Sequence, residues 1–113
     1  MKAAVIGSRS IRIENLGNYL PKNVTEIISG GAVGVDTCAR EYANSKSIKL
    51  TEFLPDYNKY GRSAPLRRNI EIIENADFVL AFWDGASKGT AFVIKNCREK
   101  GVPIRVYRLK NQS

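Results

Sequence analysis

Short apolar runs that end at glycine, serine or proline alternate along the chain with longer segments whose apolar residues recur every three or four positions. A short run bounded by turn residues marks a buried strand, and the longer period marks an amphipathic helix. Ala3-Ala4-Val5-Ile6 ends at Gly7 and predicts a strand, after which Ile13, Leu16 and Leu20 predict a helix that Pro21 stops. Residues 24–28 predict a second strand ending at Ser29, and residues 33–46 a helix with Val35, Cys38, Ala39, Tyr42 and Ala43 on its buried face. A third strand over 48–54 closes at Pro55. The stretch 55–63 holds turn formers and two tyrosines, Tyr57 and Tyr60, without a helical period, and predicts a long loop.

Beyond that loop a helix is expected over 64–75 with Leu66, Ile70 and Ile73 on one stripe, then a strand over 78–83 that is apolar throughout and therefore buried on both faces. The last unit is a helix over 87–100 with Ala91, Ile94 and Cys97 inward, Gly101 as its stop and a strand over 102–107. The tail from Lys110 to Ser113 is expected to fray. Strand and helix alternate without a hairpin signal, which predicts an α/β fold: three layers, with a five-stranded parallel sheet between helices on both faces. Right-handed crossovers give the strand order 3-2-1-4-5, with the switch point between the first and fourth strands. At 113 residues the chain holds one domain, so any site is built on this one sheet or shared with a second subunit.

Three glycine-rich turns leave the carboxyl ends of predicted strands: Gly7-Ser8-Arg9-Ser10, Ser29-Gly30-Gly31-Ala32-Val33-Gly34-Val35-Asp36 and Asp84-Gly85-Ala86-Ser87-Lys88-Gly89-Thr90. Loops on that rim converge, and glycines and helix starts gathered there can approach a phosphate or ribose closely. Ser29, Gly31 and Gly34 nearly match the dinucleotide fingerprint, but Ser replaces its first glycine and the turn follows the second strand, which argues against a conventional NAD unit. Asp36 is placed to cap amides or take a ribose hydroxyl, and Arg9 offers a planar fork to phosphate. Ser87 and Thr90 add hydroxyls at the third turn, which lacks the Walker spacing. Trp83 could stack on a base or sit in the core, and Arg68 and Asn69 either face the site or are solvated.

Composition narrows the chemistry further. The chain has no histidine and no Cys-x-x-Cys pair, so no metal or cofactor is expected, and Cys38 and Cys97 are read as small core residues. A formal charge of +7, spread from Lys46 and Lys49 through Arg62, Arg67, Lys95, Arg98, Lys100, Arg105 and Arg108 to Lys110, favours an anionic ligand without a dense basic stripe. The longest apolar stretch, 78–83, is too short to span a bilayer, and the apolar start of the chain is too short for a secretory signal. No membrane association and a cytoplasmic location are therefore expected.

Taken together, Gly7-Ser8-Arg9, Ser29-Gly30-Gly31-Ala32 with Gly34-Val35-Asp36, Arg68-Asn69 and Asp84-Gly85 with Ser87, Gly89 and Thr90 resemble the SLOG superfamily over nearly the whole chain. The resemblance is closest to its small stand-alone YspA-like members, with the DNA-processing protein A family and the LOG phosphoribohydrolases more distant. It implies a Rossmann-like fold that binds a nucleotide or nucleotide derivative at the strand rim, in a sensor or an enzyme. The LOG enzymes carry a catalytic Glu three residues after the Gly-Thr of their motif, and Val93 stands at that position here.

Three readings follow. The first is a binding module for an ADP-ribose-like compound or a nucleoside monophosphate. In it the 30–34 turn and Arg9 hold phosphate, Ser8 meets phosphate or ribose, and Asp84, Ser87 and Thr90 surround the sugar. The second is an N-glycoside hydrolase using Asp36 or Asp84, with Asp56 as a further rim carboxylate, since cleavage at an anomeric carbon needs one. The third is binding of single-stranded DNA, with basic residues along phosphates and tyrosines on bases. Related folds often pair through helices, which leaves a homodimer open.

Overall fold

A computed structural model of the chain describes residues 1–109; Lys110 and the rest of the tail expected to fray lie outside the described residues. The strands are β1 (Lys2–Gly7), β2 (Glu26–Ser29), β3 (Lys49–Glu52), β4 (Phe78–Trp83) and β5 (Ile104–Arg108). They form one sheet in the order β3-β2-β1-β4-β5, with every pairing parallel. Central β4 buries Val79, Leu80, Ala81 and Phe82 completely, as its unbroken apolarity requires of a strand covered on both faces.

Helix α1 (Val35–Ser45) packs on one face with Ile11, Ile13 and Leu16, and α3 (Ala64–Asn75) and α4 (Lys88–Lys100) pack on the other with Ile28, Val79 and Ala81 between them. The α/β architecture, strand order and switch point match the expectation from the sequence. Both cysteines are buried; Cys38 Sγ accepts from the Ile13 amide at 3.2 Å, and burial pushes the Cys97 thiol up to about 11.

The first connection differs from its expected form. Residues 8–25 contain one 3-10 turn, Leu16–Asn18, in place of a helix. Ile11 and Ile13 are buried while Arg12 and Glu14 are exposed, so this part alternates like an extended chain. Ser10, Asn15, Gly17 and Asn18 are weak helix formers, and the segment buries its apolar residues against α1 without needing a helix. Tyr19 fills the remaining space edge-on to Phe82 and Tyr107, at ring-centroid distances of 5.1 and 4.9 Å.

The stretch 55–63 also departs from expectation. It coils into a short helix, α2 (Tyr57–Tyr60), and a 3-10 turn, Gly61–Ser63, that leads directly into α3. Asp56 caps α2 by accepting from the Lys59 amide at 3.1 Å, a local bond that periodicity cannot register. In α3 the buried residues are Ala64, Ile72 and Ile73, whereas Leu66 is exposed and Ile70 half-buried.

Candidate functional site

At the switch point the ends of β1 and β4 are stitched together by side chains from both loops. The Ser8 amide donates to Phe82 O at 3.0 Å, and Ser8 Oγ accepts from the Asp84 amide at 3.1 Å and lies 2.8 Å from Ser87 Oγ. Above this seam opens a cleft of about 440 Å³, within the usual range for small-molecule sites. Its walls come from four segments: Gly7 to Ser10 after β1, Gly30, Ala32 and Asp36 after β2, Pro65, Leu66, Arg68 and Asn69 of α3, and Ser87 to Thr90 at the start of α4.

Gly30 is where two of these segments meet, the turn after β2 and helix α3. A Cβ there would lie 2.5 Å from Arg68 Nη1 and 3.1 Å from Asp36 Oδ2, so a larger residue would displace the end of the Arg68 side chain. Arg68 Nη1 donates to Gly30 O at 2.7 Å and its Nε donates to Asn69 Oδ1 at 2.8 Å. Burial pushes the Asp36 carboxyl above its ordinary value, against the opposing pull of the Ala32 amide and the Arg68 guanidinium. Burial likewise lowers Arg68, with Arg9 adding like-charge repulsion and Asp36 opposing both. Arg9 is exposed, lines the cleft, and among the described residues forms no ion pair.

The third turn is built differently. Asp84 Oδ1 accepts from the amides of Ala86 and Ser87 at 2.8 and 2.7 Å, and these bonds hold its carboxyl down at about 2. Ser87 stands at the N-cap of α4 but makes no capping bond; its hydroxyl lies against Ser8 and Asp84. The first-turn amides of Lys88, Gly89 and Thr90 have no acceptor within the helix, and no acidic residue stands in that turn. The residues that carry them line the cleft, and free amides at a helix start are a general means of holding an anion.

Of the residues singled out from sequence, Gly7, Ser8, Arg9, Gly30, Ala32, Asp36, Arg68, Asn69, Ser87, Gly89 and Thr90 come together around the cleft. The others lie behind or beside it. Val35 is wholly buried in the core, and Ser29 is buried with its Oγ accepting from the Gly31 amide at 3.4 Å. Gly31 faces Leu54 and Glu52, Gly34 packs on the backbone of Arg9, and Gly85 lies beneath the Arg108 guanidinium. Trp83 turns toward Ile94 and Val106 in a separate groove and donates from Nε1 to Ser87 O at 3.1 Å. Asp84 serves its own loop, and Asp56 caps α2.

The expected phosphate seat on the 30–34 turn is partly taken, because the amide of Gly31 bonds Ser29 and that of Ala32 bonds Asp36 Oδ2 at 3.1 Å. First-turn amides without a side-chain cap stand at the start of α4 as well as at the start of α1. Sequence reasoning did not single out Pro65, Leu66 and Lys88 as site residues; Lys88 sat in plain view within the third turn, but nothing local marks Pro65 and Leu66. Val93 lines the cleft. Among the described residues no group of three His, Cys, Asp or Glu side chains could hold a metal ion, and no helix is long and apolar enough to cross a membrane.

No family model and no solved structure matches the chain. The Gene 61 protein of Mycobacterium phage D29 is 32% identical to it over 84 residues, which cover 69% of this chain and 67% of that protein. With that identity extending over two thirds of each sequence, the chain belongs to the family of the mycobacteriophage D29 Gene 61 protein.

Proposed function

We propose that the rim cleft binds a nucleotide or nucleotide derivative through its phosphate. One observation carries this reading: Arg9 and Arg68 face the same cleft as the uncapped amino terminus of α4, so two guanidinium groups and several amides converge where the lining supplies a single carboxylate, Asp36. Like charges held together in a partly buried site repel unless an anion joins them. Pro65 and Leu66 give the opposite wall an apolar surface suited to a base, and the Asn69 side-chain amide supplies a group for ribose or phosphate oxygens. The ligands this chemistry fits best are a nucleoside monophosphate and an ADP-ribose-like compound, encountered in the cytoplasm.

Thermal unfolding against AMP, GMP, ADP-ribose, NAD and ribose 5-phosphate tests the reading. A ligand at about a hundred times its dissociation constant adds roughly 2.7 kcal/mol, which raises the midpoint of a domain this size by roughly ten degrees. No shift with any of the five removes the proposal.

Asp36 favours a second reading, N-glycoside hydrolysis. It lies in the cleft with its carboxyl displaced upward by burial, the state in which a carboxyl can hold and return a proton. Asp84 suits that role poorly, since loop amides occupy its carboxylate. Release of free base from a bound nucleoside monophosphate, abolished by Asp36→Asn, is the expected result; bound but intact nucleotide after long incubation leaves the binding module alone.

A further inference from the structure

The segment that walls the cleft on the α3 side continues outward as a surface of unusual charge. Between Tyr57 and Asn69 the chain carries Lys59, Arg62, Arg67 and Arg68 and no carboxylate. Coiling of α2, the 3-10 turn and α3 gathers these cations onto one helical run, and neither α2 nor the 3-10 turn buries a residue. Core packing therefore does not account for their order. Lys59 Nζ and the Arg67 guanidinium both lie over the Tyr60 ring, 5.2 and 5.4 Å from its centroid, which gathers two of the cations at one aromatic ring. Tyr57, 58% exposed, carries the open ring of the pair and lies within electrostatic reach of Arg68 at the cleft mouth.

The charge order within α3 points the same way. Its cations Arg67 and Arg68 occupy the amino-terminal half and its acids Glu71 and Glu74 the carboxyl-terminal half, the reverse of what the helix dipole favours. Among the described residues Lys59, Arg62 and Arg67 form no ion pair. A ramp of unpaired cations beside an open aromatic ring is the chemistry that follows a sugar–phosphate backbone and stacks its bases.

We infer that the cleft receives the phosphorylated end of a nucleic-acid single strand, while Tyr57, Lys59, Arg62 and Arg67 hold the nucleotides that follow it. The inference rests on the cleft's nucleotide reading and extends it from a free nucleotide to a chain end. A terminal phosphomonoester presents more charge and more open oxygens to Arg9, Arg68 and the α4 amides than an internal diester does. The next nucleotides then leave across α3 toward Tyr57.

Equilibrium titration of the full chain tests this with AMP and with thymidine strands of about eight nucleotides bearing a 5′-phosphate, a 3′-phosphate or hydroxyl ends, together with a 5′-phosphorylated uridine strand. AMP should bind, and one phosphorylated strand should bind at least about tenfold more tightly than AMP and than the hydroxyl-ended strand. The uridine arm then shows whether the source is RNA or DNA. In the variant combining Lys59→Ala, Arg62→Ala and Arg67→Ala, none of which lines the cleft, the strand's advantage should fall to about the AMP level, with AMP affinity retained and the salt slope reduced by about 2. AMP binding without any strand advantage overturns the inference and leaves the cleft reading standing. Hydroxyl-ended strands binding as well as phosphorylated ones overturn the chain-end assignment, and the absence of binding by AMP and all strands overturns both readings.

Discussion

The second and third glycine-rich turns look alike in sequence, each joining a strand to a helix and each carrying an aspartate, yet they are built on opposite electrostatic plans. After β2, Asp36 lies in the first turn of α1, 7% exposed, and its carboxyl is displaced upward because burial outweighs the help of the Ala32 amide and Arg68. After β4, Asp84 precedes its helix, and two loop amides hold its carboxyl down at about 2. Each turn uses two of its amides on its own side chains, but Asp36 is buried near Arg68 at the cleft, whereas Asp84 stays partly exposed and is held by the amides of its own loop. Residue type alone does not assign a role, since the two aspartates differ in how many amides reach each one and how much water each keeps.

The sharpest break in the comparison comes from exchanging glycine for alanine in each turn. Gly34 has φ +78°, and a Cβ there would stand 2.4 Å from the Arg9 carbonyl oxygen. Gly34→Ala is therefore expected to destabilise the protein by roughly 3 kcal/mol or more in denaturant unfolding. Arg68→Ala comes next: removing its bond to Gly30 and its charge at the cleft should weaken binding of a nucleoside monophosphate by about a hundredfold in calorimetric titration.

A pH series separates the aspartates. The folded pKa of Asp84 lies below the unfolded value, so its stabilisation is present above the ordinary 3.8 and disappears as pH falls through about 2. Asp84→Asn should accordingly be less stable than the wild type at pH 7, with the gap closing at acid pH. For Asp36 the folded pKa is raised, so the folded state binds the extra proton and stability declines as pH rises from 3.8 through the folded pKa. Asp36→Asn should remove that decline and keep its stability at neutral pH; equal pH profiles for the two variants would erase the distinction. The smallest effect is at Gly89, where an added Cβ meets nothing within 4 Å in a helical first turn. Gly89→Ala should change stability by less than about 1 kcal/mol, on the stabilising side.

The parts of the fold that were legible share one property. The strands over 78–83 and 3–6 are continuous apolar runs, and their burial depends on little besides that apolarity. Helix α3 was legible in its bounds and only partly in its stripe: Ile73 is buried as its period requires, yet Leu66 is exposed at the cleft, because the neighbouring α4 and the sheet cover Ile72 beside Ile73. Ile13, Leu16 and Leu20 fit a helical period equally well and form no helix, since α1 and Tyr19 supply the burial that the period was read to require.

The sequence by itself determined the alternation of strands and helices, the parallel order 3-2-1-4-5 and the convergence of three glycine turns on one rim, all of which follow from local period and from the handedness of crossovers. Tertiary structure decided which aspartate faces the cleft, which amides remain open, and that residues 57–68 coil into a basic run beside it. These outcomes depend on burial and on hydrogen bonds between segments far apart in the chain, such as Arg68 to Gly30 and Ser87 to Ser8, and no local pattern of apolar and polar residues encodes such partners.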